Sequence, residues 1–549
     1  MKKQITIGAC LLAISLSLSL SGCQDLTELN INPNNISEED VNPNLLLPTV
    51  LSGTASKYNE LSFIDLGGVM QHTQLDAWFD GHNDYEWTGG ILSWDAYYSF
   101  LRDNELMRRR SEELGLDFHH GVSLVMRAYI FGLITDLWGD APYTDAVKAD
   151  LGGVQYNFPK FDQQDVIYKG ILEELKQANT IFAKPDGTFD VLGGADLYFN
   201  GDVSKWRRFA NSLALRYYMR LSEKDPAFAK QGVEAMLADA NQFPLITSVG
   251  EEVLMGFVGV NSSDSWPSNT VFDASGSNFR RMKMCATFVD RLQALQDPRL
   301  AVWAKPVEIP IEVRATEPAR TDKIVNGVRI VSPDVVAGIP VDTDTDYVGL
   351  PASGSKNPSA YNLNPTPGQT SMNPHVSYLS DIYRASKGDL LKARLLAASE
   401  VSFILAEAAW KGWAVPESAK TYYERAIQQS LTSWGRAADY SAYIQRPGVA
   451  FANTQAQIME QKWIANWTTA AQAWFDYRRT GYPQLKAGPA AIRTQLPVRI
   501  PYMQNEMSVN QKNAEEALSR IEKTAYSQAD NENSAWSKPW LLQGTSKPW

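Results

Sequence analysis

Apolar residues return at helical spacing in one segment after another, and this periodicity restricts the chain to a mainly helical scaffold. From Val122 to Trp138 the sequence is strongly apolar and stops at Gly139 and Pro142, residues that end helices. Ile167, Ile171, Leu175, Ala178 and Phe182 keep the same spacing, behind a cap expected at Asp162 with Asp165 three residues on. Trp206, Phe209, Ala210, Leu213, Ala214, Tyr217 and Leu221 line a third face behind Ser204. A further helix is expected through Met282, Ala286, Val289 and Leu292.

The middle changes character. Residues 307–349 are rich in Val, Ile, Thr and Pro, and Lys323 to Ile330 carry an Asn326-Gly327 hairpin signal. Residues 351–378 hold many Pro, Ser, Asn and Gly and read as loop. Helices resume at Asp389, with Leu395, Ala398, Ser402, Leu405 and Ala409 on one face up to Gly412. Ala419, Tyr422, Tyr423, Ala426 and Ile427 line the next. Two helices with small alanines at their contacts and a short turn between them resemble a tetratricopeptide-type hairpin, without a regular repeat along the chain. The expected fold is mainly α, with helical hairpins, a small β-containing insertion at about 243–380 and long loops.

The N-terminus reads as an export signal. Lys2 and Lys3 precede an apolar stretch from Ile5 to Leu20 that is too short and too interrupted to span a membrane stably. It ends in Leu20-Ser21-Gly22-Cys23, which resembles the lipobox of bacterial lipoproteins. Residues 1–22 are then a signal peptide, Cys23 the acylated first mature residue, and 23–45 a polar tether into a domain over 46–549. Several acyl chains hold a protein stably on a membrane. Gln24 stands where Asp would retain a lipoprotein in the inner membrane, so the outer membrane, and its external face, is the expected location. Of three cysteines, Cys10 leaves with the signal and Cys23 carries lipid. Cys285 is left alone, in an apolar run that places it in the core.

Composition and motifs exclude several functions. With a net charge of −11, and two lysines lost with the signal, the protein is unsuited to nucleic-acid phosphates. Its one basic run, Arg108 to Arg110, meets Glu112 and Glu113 at once and reads as a solvated helix face. No P-loop, nucleophile elbow, dinucleotide fingerprint or His-Glu-x-x-His occurs, so no cofactor, metal or catalytic residue is assigned. Asp342, Asp344 and Asp346 begin like a calcium loop, yet Tyr347 and Ser353 occupy the places where an EF-hand needs Gly and Glu. A solvated acidic turn is the simpler reading.

Aromatic residues remain. Trp78, Phe79, Tyr85, Trp87 and Trp94 crowd a segment full of Asp, Gly, His and Asn. Exposed rings on loops suit sugar faces and peptide side chains, whereas packing onto neighbouring helices is the bland account of any one ring. The candidates are Trp78, Trp87 and Trp266, with Asp80, Asn83 and Asp264 among the polar neighbours. Trp138, Trp206, Trp463 and Trp474 lie in amphipathic helices and are assigned to the core.

Several runs together resemble the SusD/RagB-like nutrient-binding lipoproteins, and within them the second SusD-like subgroup. They include Arg127-Ala128-Tyr129 through Trp138-Gly139-Asp140-Ala141-Pro142-Tyr143, then Trp206 to Leu213, and Asp297-Pro298-Arg299-Leu300. Glu400 to Ala408, Gln461-Lys462-Trp463, Arg478 to Pro483 and Pro497-x-Arg499 follow in the same order. The resemblance implies a SusD-like fold whose loops bind an oligosaccharide or peptide without cleaving it. It also implies a partner, a SusC-like TonB-dependent transporter in the outer membrane. Two other functions compete: a lipid-anchored glycoside hydrolase, which needs only two carboxylates about 5–9 Å apart, and a structural helical-repeat adaptor.

Overall fold

The computed structural model describes residues 40–192, 194–366, 373–547 and 549. The signal peptide and the lipid-attachment Cys23 lie outside these residues. The first helix, α1 (Pro43–Asn59), begins where Asn42 accepts a hydrogen bond from Asn44 N at 3.0 Å, with Pro43 at the first helical position. The Asn-Pro pair expected to belong to a tether is therefore a helix start, and residues 43–45 are already helical. Helix α1 runs into a π-helical turn over Glu60–Asp65.

Five helices then follow, α2 (Asp95–Glu113), α3 (Asp117–Trp138), α4 (Gln164–Phe182), α5 (Val203–Arg220) and α6 (Pro226–Ala238). Each packs on its predecessor in the chain, the arrangement that short connections between amphipathic helices impose. Helix α3 is long and apolar enough to cross a membrane, but 94% of its most apolar stretch is buried inside the fold. It is the central core helix. Its Gly132 allows α5 to come close, since a Cβ there would stand 1.9 Å from the Tyr217 hydroxyl.

Three expectations about helix ends are corrected. Asp162 does not cap α4; its carboxylate accepts hydrogen bonds from Tyr143 N and Thr144 N at 3.2 and 2.7 Å, fastening the segment after α3. Helix α5 is capped by Asp202, which accepts from Lys205 N, so Ser204 lies inside the helix and not ahead of it. Met282 lies in a strand, and the helix α7 (Ala286–Leu295) starts only after Cys285. A short apolar run has no length to separate helix from strand by period, and pairing with residues 73–75 decides this one.

The strands are short. β1 (Thr73–Leu75) pairs antiparallel with β3 (Met282–Met284), Gln74 opposite Lys283. β2 (Val253–Gly256) pairs with β7 (Lys392–Leu396), which takes Leu395 out of the expected helical face. β4 (Ile311–Val313), β5 (Asp322–Val325) and β6 (Val328–Val331) form a three-stranded sheet with β6 central. The β5–β6 turn is the Asn326-Gly327 hairpin, both residues in the left-handed region, as such two-residue turns require. Beyond the loops come α8 (Ala398–Trp410) and α9 (Ala419–Ser433), the expected hairpin, then α10 (Gln455–Ala465) and α11 (Ala470–Thr480).

The helices share one continuous core containing Trp138, Trp206, Trp463 and Trp474. Buried ion pairs cross it. Arg216 on α5 grips Glu400 on α8 through two bonds of 2.7 Å, and Arg479 on α11 grips Glu407 through two of 2.6 Å. Burial opposes ionisation of Asp476, yet Lys462, Arg479 and Arg220 beside it hold its carboxyl below the usual range. Cys285 is fully buried, and burial pushes its thiol up to about 12.

Candidate functional site

The loop between β1 and α2 is closed by its own hydrogen bonds. Asn83 donates from Nδ2 to Leu75 O at 2.7 Å and accepts from Leu75 N at 2.9 Å, so one amide satisfies both backbone groups across the loop. Asp84 accepts from Gly81 N at 2.8 Å and Glu86 N at 3.1 Å. The Trp87 indole donates to Gly81 O at 2.8 Å and packs edge-on against Trp474, with centroids 5.5 Å apart. Asp76 N donates to Arg281 O, which continues the β1–β3 pairing and ties the loop to the segment before β3.

This framework presents one ring outward. Trp78 is 68% exposed, while Tyr85, Trp87 and Trp94 are buried and Phe79 is half-buried. Its backbone lies in the left-handed region at φ 50°. A bulky residue there costs on the order of 1–3 kcal/mol, and such outliers gather at functional sites. The Arg281 guanidinium stands 5.7 Å from the Trp78 ring centroid, within reach of a cation–π contact. A hollow of about 160 Å³ opens beside them, lined also by Asp65, Asp80, His82 and Trp87. Asp65 closes the π-helical turn, a feature often found at functional sites. Burial pushes its carboxyl up to about 7 against the pull of Lys57. Burial also holds the His82 imidazole neutral, down to about 4.

The other side of the Arg280-Arg281 pair borders a second hollow, of about 330 Å³. Phe279 and Tyr378 stack there with centroids 6.1 Å apart and planes 12° from parallel. Beneath β3, Lys283 sits wholly buried with Nζ 2.9 Å from the Tyr378 centroid and 3.6 Å from the Asp76 carboxylate. Burial drives the lysine down and the aspartate up. Larger hollows of about 750 and 730 Å³ lie elsewhere, in the 339–364 loops and between 154–160 and 508–515. Neither sets an exposed indole beside a cation.

The six sequence-derived candidates separate accordingly. Trp78 and Asp80 are exposed and share the first hollow. Trp87 borders the same hollow, but it is 7% exposed and chiefly supports the loop. Asn83 is a backbone staple, not a free ligand group. Trp266 is corrected: it is fully buried among Phe63, Phe257 and Tyr383, its indole donating to Ser268 Oγ. Asp264 accepts from Val260 N and Asn261 N and holds its own turn. The acidic turn is also internal, Asp344 accepting from Asp346 N and Tyr347 N. Arg280, Arg281, Phe279 and Tyr378 went unnoticed in the sequence. An Arg-Arg pair carries no signal until strand pairing sets it beside Trp78.

The sequence matches the model of the second SusD-like family, described as "Starch-binding associating with outer membrane", over residues 33–313 and 342–503. The chain belongs to this SusD-like family. The unmatched stretch 314–341 holds β5 and β6. A SusD homologue from Bacteroides fragilis is similar in fold, at TM-score 0.71 and 20% identity, over 92% of this chain and 100% of its own. A Bacteroides vulgatus outer membrane protein connected with nutrient binding gives 0.69 and 24%, over 92% and 100%. A chitin-binding SusD homologue from Flavobacterium johnsoniae gives 0.65 and 20%, over 90% and 99%. No curated protein matches the chain significantly. The frame is therefore the mainly helical SusD-like fold that the resemblance implied, in a family described as starch-binding and associating with the outer membrane.

Proposed function

We propose that this SusD-like protein is anchored through acylated Cys23 at the external face of the outer membrane, where it captures an oligosaccharide or peptide. It passes the ligand unaltered to a SusC-like TonB-dependent transporter. The observation that carries the capture reading is Trp78: an exposed indole on a hydrogen-bonded loop, in the left-handed region, with Arg281 at its face. Such a ring packs against the CH-rich face of a sugar, while Asp80 and Arg281 bond hydroxyls. The chitin-binding and nutrient-binding neighbours favour a glycan. The anchor and the transporter rest on the lipobox and the family likeness.

Isothermal titration against glycan and peptide panels, with product analysis of the same mixtures, tests this function. Reversible binding without product, weakened about tenfold by Trp78→Ala, is expected. Product analysis matters because Asp65 and Asp80 share the hollow, and a carboxyl raised to about 7 suits a general acid. Turnover that disappears in Asp65→Asn would make the protein a hydrolase.

A further inference from the structure

The geometry points to an acidic glycan as the ligand: a sugar ring stacks on Trp78, and a carboxylate or sulfate further along the chain is received by Arg280 in the neighbouring hollow. This rests on the Trp78 capture site and names the substrate class it takes.

The argument is one of unmatched charge. The second hollow is lined by three cations, Arg280, Lys305 and Arg384, and two carboxylates, Glu308 and Asp381. Lys305 lies 3.2 Å from Glu308 and 3.7 Å from Asp381, and Arg384 lies 3.6 Å from Asp381. Both carboxylates are thus engaged. Among the described residues, Arg280 has no carboxylate within ion-pair distance. Its field reaches Asp76, but that carboxylate is buried and already matched to Lys283 at 3.6 Å. Arg281, facing the other hollow, likewise makes no ion pair among the described residues and lies against Trp78.

Two adjacent guanidinium groups without counterions are out of keeping with a chain of net charge −11. Arginine's planar fork suits carboxylate and sulfate oxygens, and its bonds to anions are stronger than those to neutral hydroxyls. The buried Phe279–Tyr378 stack backs the hollow, with Arg384 lying 5.5 Å from the Phe279 centroid and Lys283 2.9 Å from that of Tyr378. Consecutive residues, Arg280 and Arg281, border the two hollows, and the inference requires a ligand longer than one sugar.

Titrations use the mature chain with Cys23→Ser, against paired ligands of equal length. Oligogalacturonate and its methyl ester test carboxylate; carrageenan oligosaccharides and their desulfated forms test sulfate; oligoglutamate tests an acidic peptide. At least one acidic glycan should bind roughly tenfold tighter than its neutral partner. Arg280→Gln should erase that preference and flatten its salt dependence, with the thermal midpoint unchanged. Trp78→Ala should weaken both members of a pair. Equal affinity within every pair overturns the inference, as does a preference that survives Arg280→Gln, or tighter binding of oligoglutamate than of any acidic glycan. Neutral glycans bound through Trp78 without acid preference would sink this inference alone. Trp78-independent binding throughout would take the capture site with it.

Discussion

Two tryptophans that look alike in sequence should fail in opposite ways. Trp266 is fully buried between Phe63 and Tyr383, with Phe257 edge-on. Trp266→Ala removes those ring contacts and leaves a cavity, at about 3–5 kcal/mol. It strands no polar partner, because Ser268 Oγ still donates to Tyr383 O at 2.9 Å. Trp78 is 68% exposed, so Trp78→Ala should change stability by no more than about 0.5 kcal/mol. Its backbone at φ 50° goes further: Trp78→Gly should match the wild type or gain up to about 1 kcal/mol, since glycine takes that conformation without strain. Both Trp78 variants should lose about tenfold in glycan affinity. Guanidinium denaturation followed by circular dichroism, together with titration calorimetry, separates the two effects. An unchanged denaturation midpoint in Trp266→Ala, or a Trp78→Gly protein several kcal/mol less stable than wild type, would refute this placement of the rings.

Lipid attachment should depend on Cys23, so Cys23→Ser should abolish fatty-acid labelling; labelling that persists would disprove the anchor. Gly132→Val should overpack the α3–α5 contact against Tyr217 and cost about 1–3 kcal/mol, read as a lower denaturation midpoint. Asp65 predicts a pH effect. Its carboxyl is raised from 3.8 to about 7, so between those values the folded state binds its proton better than the unfolded chain does. Its contribution to stability therefore falls as pH rises through that window, and Asp65→Asn should remove that slope. Parallel pH–stability curves for the two proteins would rule this out.

Helices are legible because their segments are long: apolar spacing locates α4, α5, α8 and α9, and a continuous apolar run closed by Gly139 and Pro142 locates α3. Strands β3 and β7 are not, since three to five residues fit either period and the pairing partners lie about 200 and 140 residues away. Trp78 and Trp266 could not be told apart either. Each sits in a polar, Gly- or Ser-rich segment, and exposure depends on what packs over the loop. For Trp266 that cover is the π-helical turn carrying Phe63 and the 381–384 turn carrying Tyr383. Asn83 reads as a ligand group in sequence because nothing there shows that Leu75 consumes its amide.

The runs that carry the family resemblance do a different job from the residues of the site. Asp297 and Arg299 form a buried pair, joined by the Tyr443 hydroxyl donating to Asp297. Glu400, Glu407, Lys462 and Arg479 are the buried charges that bind α5, α8, α10 and α11 together. Arg478 donates to Asp136 O and Val498 O, locking α11 to α3 and to the Pro497-x-Arg499 segment. Removing one member of such a pair leaves a buried charge uncompensated, at about 3–5 kcal/mol, which constrains these positions in this chain. Arg280, Arg281, Trp78 and Asp80 carry no such constraint, because they sit at the rim with solvent on one side. The frame identifies the family, while the proposed choice of ligand rests on the rim residues. Titration with paired acidic and neutral glycans addresses the rim alone, with the buried pairs left intact.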